Sequence, residues 1–269
     1  MCELLGLAFN RAVSPGLSFR GFRRRARRNR DGWGLAAISP RRTTILKEAI
    51  DAERSDVAAT LPDRDPLHAP LFIGHVRAAS HGRVSVANTH PFTRPLDGGT
   101  VTFAHNGTLD MTKLRKEVGT DFTPEGQTDS ELAMGALLTW LDRQRAARRR
   151  EDDAAPADHP LTDYPALEDF LRFLNVLGNL NLLFSDGRRL FCYHDAGGYN
   201  GLAWTRREAP FCSVSLRDED WEADLAEEKA ADQRGYVIAS RPLTDGEDWT
   251  SCNPGRLLVI DHGAAVFGA

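Results

Sequence analysis

The chain has 269 residues, 41% of them hydrophobic and 27% charged, with a formal net charge of −4. That size and composition fit one large globular unit or two small ones and allow a sizeable core. The small negative charge creates no global field toward nucleic acid or anionic lipid, the Met-Cys-Glu-Leu-Leu start lacks the basic and apolar regions of a secretory signal, and no apolar run approaches the ~20 residues of a membrane helix.

In chain order, Leu4 to Phe9 reads as a buried strand that begins almost at the first residue and anchors Cys2 at the end of a rigid element. Arg20 to Arg30 is dense in arginine and ends in the turn Asp31-Gly32-Trp33-Gly34. Leu35 to Ile38 follows as a strand, with Thr43 to Leu46 as its hairpin partner. Residues 51–66 carry a short helical pattern and then a loop with Pro62 and Pro66. Leu71 to Arg77 is a strand whose embedded Gly74 predicts close backbone approach. Ala78-Ala79-Ser80-His81-Gly82 is a polar turn and residues 88–92 form a loop. Thr100 to Ala104 is another strand, and His105-Asn106-Gly107 is expected to end it in a turn.

Thr128-Asp129-Ser130-Glu131 predicts a capping box opening a helix that runs through Trp140 to the region of Arg150, with its basic residues near the C-terminal end. Residues 151–165 read as an acidic surface loop, and 166–178 as a second amphipathic helix. From Asn181 onward the pattern is β: Leu182–Phe184 and Leu190–Tyr193 flank a turn, Tyr236 to Ser240 is a strand, and Arg256 to Ile260 pairs with Ala264 to Phe267. Strands, then two helices, then strands predict a single α+β domain over residues 1–269, with no internal repeat and no dividing linker.

The chemistry centres on Met1-Cys2. If Met1 is removed, Cys2 carries a free α-amine beside its thiol, so one residue holds both nucleophile and base. An α-amine has an unperturbed pKa of ~7.7–8.0, low enough to take the thiol proton without a histidine partner. Acyl transfer also needs donors aimed at a developing oxyanion, which the Asn106 side chain and the Gly107 N–H can supply. Arg77 offers a bidentate fork for a substrate α-carboxylate, and Asp129 a counter-charge for an α-ammonium.

Five segments stand in the order seen in class II glutamine amidotransferases: Met1 to Gly6, Gly74 to Arg77, Asn88 to Phe92, Ala104 to Gly107 and Thr128 to Glu131. The chain resembles that family over essentially its whole length, nearest to a stand-alone, YafJ-like branch. Asp31 to Gly34 and Ala239 to Thr244 share in the resemblance. It implies a four-layer αββα sandwich of two antiparallel sheets between helix layers, the fold of N-terminal-nucleophile (Ntn) hydrolases. It implies Cys2 as nucleophile and Asn106 with Gly107 as the oxyanion pair. Arg77, assisted by Ser80, would grip the α-carboxylate of glutamine. Asp129 would hold the α-amine, and His75, His81 and His90 would shape the pocket. Where synthase-coupled members carry an aromatic residue after the arginine, this chain has Ala78. No synthase segment follows, so an ammonia-accepting partner enzyme is left open.

Other readings compete. His75, His81, His90 and His105 match no common zinc spacing, so neither metal nor cofactor is expected. The arginine run lacks the aromatic interleaving or fold motif of nucleic-acid binders and reads first as a solvated face, with an anionic partner as the alternative. The four cysteines, Cys2, Cys192, Cys212 and Cys252, form no CxxC pair, which makes a reducing cytoplasm the default compartment. The expected activity is glutamine amidohydrolysis. Hydrolysis of another γ-glutamyl compound, or ligand binding without catalysis, stands as the alternative.

Overall fold

The computed structural model describes residues 1–64, 67–96, 99–151 and 160–268. Pro66 and most of the predicted 151–165 loop therefore lie outside the described residues. In chain order the elements are β1 (Glu3–Val13), α1 (Gly16–Arg24), β2 (Trp33–Ser39), β3 (Arg42–Glu48), α2 (Asp56–Arg64), β4 (Ala69–Val76), β5 (Phe92–Leu96) and β6 (Gly99–Leu109). There follow α3 (Met111–Leu114), α4 (Asp129–Glu151), α5 (Tyr164–Asn175), β7 (Gly178–Ser185), β8 (Arg189–Tyr193), β9 (Ala203–Arg207) and β10 (Ser213–Leu216). The last are β11 (Glu222–Asp224), α6 (Leu225–Glu228), β12 (Gly235–Ala239), β13 (Thr244–Asp245), β14 (Thr250–Ser251), β15 (Leu257–Asp261) and β16 (Ala264–Phe267).

These strands make a seven-stranded sheet in the order β14-β9-β12-β1-β4-β2-β3, a six-stranded sheet in the order β16-β15-β8-β7-β6-β5, and a small sheet β11-β10-β13. The registered pairs in both large sheets are antiparallel. Strand alternation sorts the side chains into layers. From β1, Leu4 and Ala8 join Ile73, Ala104, Leu183, Leu190 and Ile260 in a core between the two sheets. Leu5, Leu7 and Phe9 point the other way, onto Phe19 and Phe22 of α1 and Ala58 and Leu61 of α2. The second sheet turns Phe103, Leu182 and Phe184 onto Leu132 and Leu137 of α4 and Leu167 and Leu171 of α5. The result is the expected αββα sandwich, and burial on both faces explains why β1 reads as an unbroken apolar run.

Several local expectations change. Asn106-Gly107 makes no turn: β6 continues through it to Leu109, with Asn106 opposite Asn181 and Gly107 opposite Leu180. A neighbouring strand with open ladder positions overrides the turn preference of the pair. The capping box is half formed. Thr128 Oγ1 accepts the Glu131 N–H at 3.2 Å, while the Glu131 carboxylate accepts Glu125 and Gly126 N–H groups, each at 2.7 Å, and pairs with Arg94. Helix α5 starts at Tyr164 because Asp163 caps it, accepting the Ala166 N–H at 3.2 Å with Pro165 in the first turn. Its C-terminal end gives way to β7 from Gly178. At Gly74 it is side chains that approach, not backbone: an added Cβ would lie 3.3 Å from Leu5 Cβ and 3.4 Å from Phe22 Cε1.

Three arginines of the run, Arg20, Arg24 and Arg25, are held in close ion pairs, while Arg27 and Arg30 stay largely exposed. Arg24 bridges Glu53 at 3.2 Å and Glu219 at 2.9 Å. Arg25 Nε meets Asp218 at 2.9 Å and its Nη2 donates to the Pro242 carbonyl at 2.6 Å. Arg20 pairs with Asp63 and stacks 4.1 Å over the Trp221 ring. Together they fasten α1 to segments nearly two hundred residues on. A second buried pair ties β9 to the 244–248 turn: Arg207 donates to Glu247 at 2.5 and 2.8 Å, with both side chains 5% exposed. Burial by itself raises Glu247, but the Arg207 bonds and the Thr244 hydroxyl outweigh it, so its carboxyl lies below the usual range. Glu247→Ala strands a buried guanidinium and is expected to lower unfolding free energy by about 3–5 kcal/mol, read by urea denaturation against wild type.

Candidate active site

Cys2 sits where β1 ends, between β4 and β12. Glu3 lies opposite Val76 in the β1–β4 ladder, so the chain leaving β4 at Arg77 and Ala78 passes beside Cys2. The Ala78 N–H donates to Cys2 Sγ at 3.2 Å, and the thiol in turn reaches the Ala78 carbonyl at 3.3 Å. Burial pushes the thiol pKa up, against the lowering effects of the Ala78 N–H, the nearby terminal amine and Arg77. With Met1 attached, the terminal amine donates to Asn29 Oδ1 at 3.3 Å.

The main chain of Cys2 is held from the second sheet. Ala104 faces the inter-sheet core, so strand alternation turns Asn106 inward too and His105 outward. Asn106 Nδ2 donates to the Cys2 carbonyl at 2.6 Å. Asn200 Nδ2 donates to the same oxygen at 2.9 Å. Gly107 has no room for a side chain: an added Cβ would lie 2.0 Å from the Asn179 carbonyl oxygen and 2.5 Å from His105 Nε2.

Arg77 is 3% exposed. Its guanidinium donates to the carbonyls of His81 (2.9 Å), Gly82 (3.3 Å), Arg83 (3.4 Å) and Asp31 (3.5 Å), and burial pulls its pKa down. It therefore shapes the loop after β4. Ser80 and His81 lie exposed on that loop, and it is the His81 carbonyl, not its imidazole, that meets Arg77. Asp31 Oδ2 accepts the Ala79 N–H at 2.7 Å from the other side. Asp129 is 3% exposed at the start of α4, and its Oδ2 accepts the Leu109 N–H at 2.8 Å. The carboxylate thus binds the end of β6, two residues past Gly107.

The histidines divide. His75 lies opposite Leu4 and so faces the inter-sheet layer, where its ring packs at a tilt against His90 with centroids 4.2 Å apart. Burial is the main cause that lowers His75 to about 3 and takes His90 well below its ordinary value. Both are neutral at pH 7. His105 faces α4: its Nε2–H donates to the Asn179 carbonyl at 3.0 Å, and Ser130 Oγ donates to Nδ1 at 2.9 Å. Among the described residues no group of His, Cys, Asp and Glu is arranged to hold a metal ion.

Asn200 and Asn29 escaped the sequence reading, and Ser240 and Arg241 stood in a segment of the family resemblance without an assigned role. Asn200 announces itself only as a second Asn-Gly pair in a glycine-rich turn. Ser240 Oγ accepts the Leu4 N–H at 2.9 Å, and Arg241 pairs with Glu3, which places the late Ser240-Arg241 segment against the N-terminal strand. Asn29 had no signal at all.

Two face-packed antiparallel sheets between helix layers are a fold this chain shares with solved glutamine amidotransferases. Residues 1–268 match the family described as glutamine amidotransferases class-II, and the chain belongs to that family. It is 36% identical to a putative glutamine amidotransferase, YafJ, of Escherichia coli K12, over 99% of this chain and 100% of that protein. It is 34% identical to an uncharacterized protein of Methanocaldococcus jannaschii, over 99% of this chain and 71% of that protein. The crystal structure of a predicted glutamine amidotransferase from Pseudomonas aeruginosa superposes with a TM-score of 0.65 at 27% identity, covering 99% of this chain and 100% of that one. The glutamine phosphoribosylpyrophosphate amidotransferase of B. subtilis shares the fold with a TM-score of 0.64 at 18% identity, over 98% of this chain and 48% of its own. No helix among the described residues is long and apolar enough to cross a membrane.

The neutral histidines set a pH dependence. An unfolded histidine takes up a proton below its ordinary pKa of 6.5, whereas folded His75 resists protonation down to about 3. Stability is therefore full above that window and falls as pH drops through it. Between pH 6 and 4, His75→Gln is expected to reduce the proton uptake on unfolding by about one, measured as the slope of unfolding free energy against pH.

Proposed function

We propose that the protein is a glutamine amidohydrolase in which Cys2, freed of Met1, is the nucleophile. The observation that carries this reading is the pinned end of β1: a cysteine whose carbonyl is gripped by the Asn106 amide at 2.6 Å and whose sulfur receives the Ala78 N–H at 3.2 Å. The free α-amine takes the thiol proton as sulfur attacks the side-chain amide carbon of glutamine. Asn106 Nδ2 spends one proton on the Cys2 carbonyl and keeps the second for the tetrahedral oxyanion, with the Gly107 N–H as the other donor. Collapse returns the proton to the leaving nitrogen, releasing ammonia and leaving a γ-glutamyl thioester. Water, deprotonated by the same amine, hydrolyses the thioester to glutamate and regenerates the thiol.

Arg77 and Asp129 would complete the site as substrate clamp. Both are buried and already fixed by bonds to the main chain, Arg77 to the 81–83 carbonyls and Asp129 to Leu109 N–H. Fixed charges of this kind lose little freedom when a zwitterion arrives. Ser80 and His81 would rim the pocket from the exposed loop, and His75 and His90 would back it as neutral packing. A second reading keeps the chemistry and widens the substrate to other γ-glutamyl amides. It is favoured by Ala78, a small half-buried residue beside the sulfur, and by the exposure of the loop that follows it. Comparing kcat/KM for glutamine with a panel of γ-glutamyl amides separates the two.

Cys2→Ala is expected to abolish ammonia release, with activity falling by at least about 10⁴-fold. A glutamine-like chloroketone should label Cys2 stoichiometrically in protein whose intact mass shows Met1 removed. Full activity in protein that retains Met1 would sink the free-amine mechanism. In that unprocessed form, the buried and raised thiol should react with iodoacetamide slowly at neutral pH and faster as pH rises past 9, followed by peptide mass at Cys2.

A further inference from the structure

The turn that carries Asn200 is held by more buried polar groups than a surface connection needs. Asp195 and Asn181 are 1% and 0% exposed. Asp195 Oδ1 accepts the Gly197 N–H at 2.9 Å and the Tyr199 N–H at 3.1 Å, and its Oδ2 accepts Leu180 N–H at 2.8 Å and Asn175 Nδ2 at 2.7 Å. Asn181 Oδ1 accepts the Asp195 N–H at 2.9 Å, and its Nδ2 donates to the Tyr199 carbonyl at 2.6 Å. Asn200 itself sits at φ 54, in the left-handed region that asparagine tolerates better than most side chains. Burying a carboxylate and an amide is costly unless every bond is made. Here the bonds converge on one outcome, an Asn200 amide aimed at the Cys2 carbonyl at 2.9 Å.

We infer that Asn200 is a positioning residue for the nucleophile, sharing the Cys2 carbonyl with Asn106 so that the thiol and the Asn106 amide keep a fixed relation. This extends the proposed glutaminase reading. Once Met1 is gone, Cys2 has chain on one side only, and no preceding peptide fixes its orientation. Its carbonyl is the main-chain group closest to the reacting atoms that can still be gripped. A carbonyl oxygen has two lone pairs, and the two asparagines fill both. With Asn106 alone on the carbonyl, one amide would have to anchor the nucleophile unaided while also donating to the oxyanion beside the Gly107 N–H, and each small rotation of Cys2 would carry the donor with it. Asn200 comes from an independent, rigidly braced turn, so it supplies the fixed reference.

The test uses the processed full chain with Asn200→Gly and Asn200→Asp. Glycine keeps the left-handed backbone and removes only the amide. Aspartate keeps the shape but turns an acceptor toward the carbonyl. Misplacement of the nucleophile predicts a loss in kcat of about 10- to 100-fold in both, larger for aspartate. KM for glutamine should stay within about threefold and the melting temperature should be unchanged. The pH profile of Cys2 alkylation by iodoacetamide should move to higher pH in Asn200→Asp, which places a carboxylate against the Cys2 carbonyl, and stay in place in Asn200→Gly. Unchanged kcat together with an unchanged alkylation profile overturns the assignment. So does a loss of kcat that tracks KM and melting temperature, which would mark a merely structural turn. If wild type releases no ammonia from glutamine, the glutaminase reading fails by itself, and the alkylation profiles alone decide whether Asn200 positions Cys2.

Discussion

The structure depends on how the first strand is ended. β1 lies in the middle of a seven-stranded sheet, and a central strand cannot fray without opening the ladders on both sides. Its N-terminal residues are fastened one by one. Leu4 N–H meets Ser240 Oγ, Glu3 is neutralised by Arg241 and lies 3.7 Å from Arg25, and the Cys2 carbonyl takes two amides. Register does the rest. Side-chain direction in a strand has period two, so a slip of one residue in β6 would turn Asn106 toward α4 and bring His105 to the inter-sheet side. Correct pairing of β6 with β7 is thus a precondition for the bond from Asn106 to the Cys2 carbonyl.

Charge is managed by pairing and by neutrality. Of the arginines of α1 and its following turn, Arg20, Arg24 and Arg25 are committed to Asp63, Glu53, Glu219 and Asp218, while Arg27 and Arg30 stay exposed with only long contacts to Glu53 and Asp51. Arg77 is treated differently, wrapped by carbonyl oxygens that satisfy its protons without cancelling its charge. A cation solvated by dipoles retains an outward field that a salt bridge would extinguish. The histidine pair behind it adds no competing charge, because burial keeps His75 and His90 neutral.

Periodicity and order made the layers legible. The apolar runs Leu4–Phe9 and Leu71–Ile73 announced β1 and β4, and the Thr128 cap announced α4. The order of the short motifs gave the family resemblance, with Cys2, Arg77, Asn106 and Asp129 as its marks. Local rules failed where a partner strand decided. Asn106-Gly107 carries a turn signal, yet β7 draws it into a ladder. The short strands β9 to β11, β13 and β14 had too few residues to show a period. Asn200 was invisible for another reason: its importance comes from a contact across 198 residues, which nothing in its own neighbourhood encodes.

That long reach has a consequence for synthesis. The groups that fix Cys2 include Asn106, Asn200 and Ser240, so the first two residues emerge long before the segments that enclose them. A ribosome adding roughly 5–20 residues per second leaves the start of the chain uncovered for many seconds. During that interval the Cys2 carbonyl is without either of its amide partners, Asn106 and Asn200. Enclosure of the N-terminal end is thereby made a late event by topology alone: it waits for the strands that carry its partners to dock.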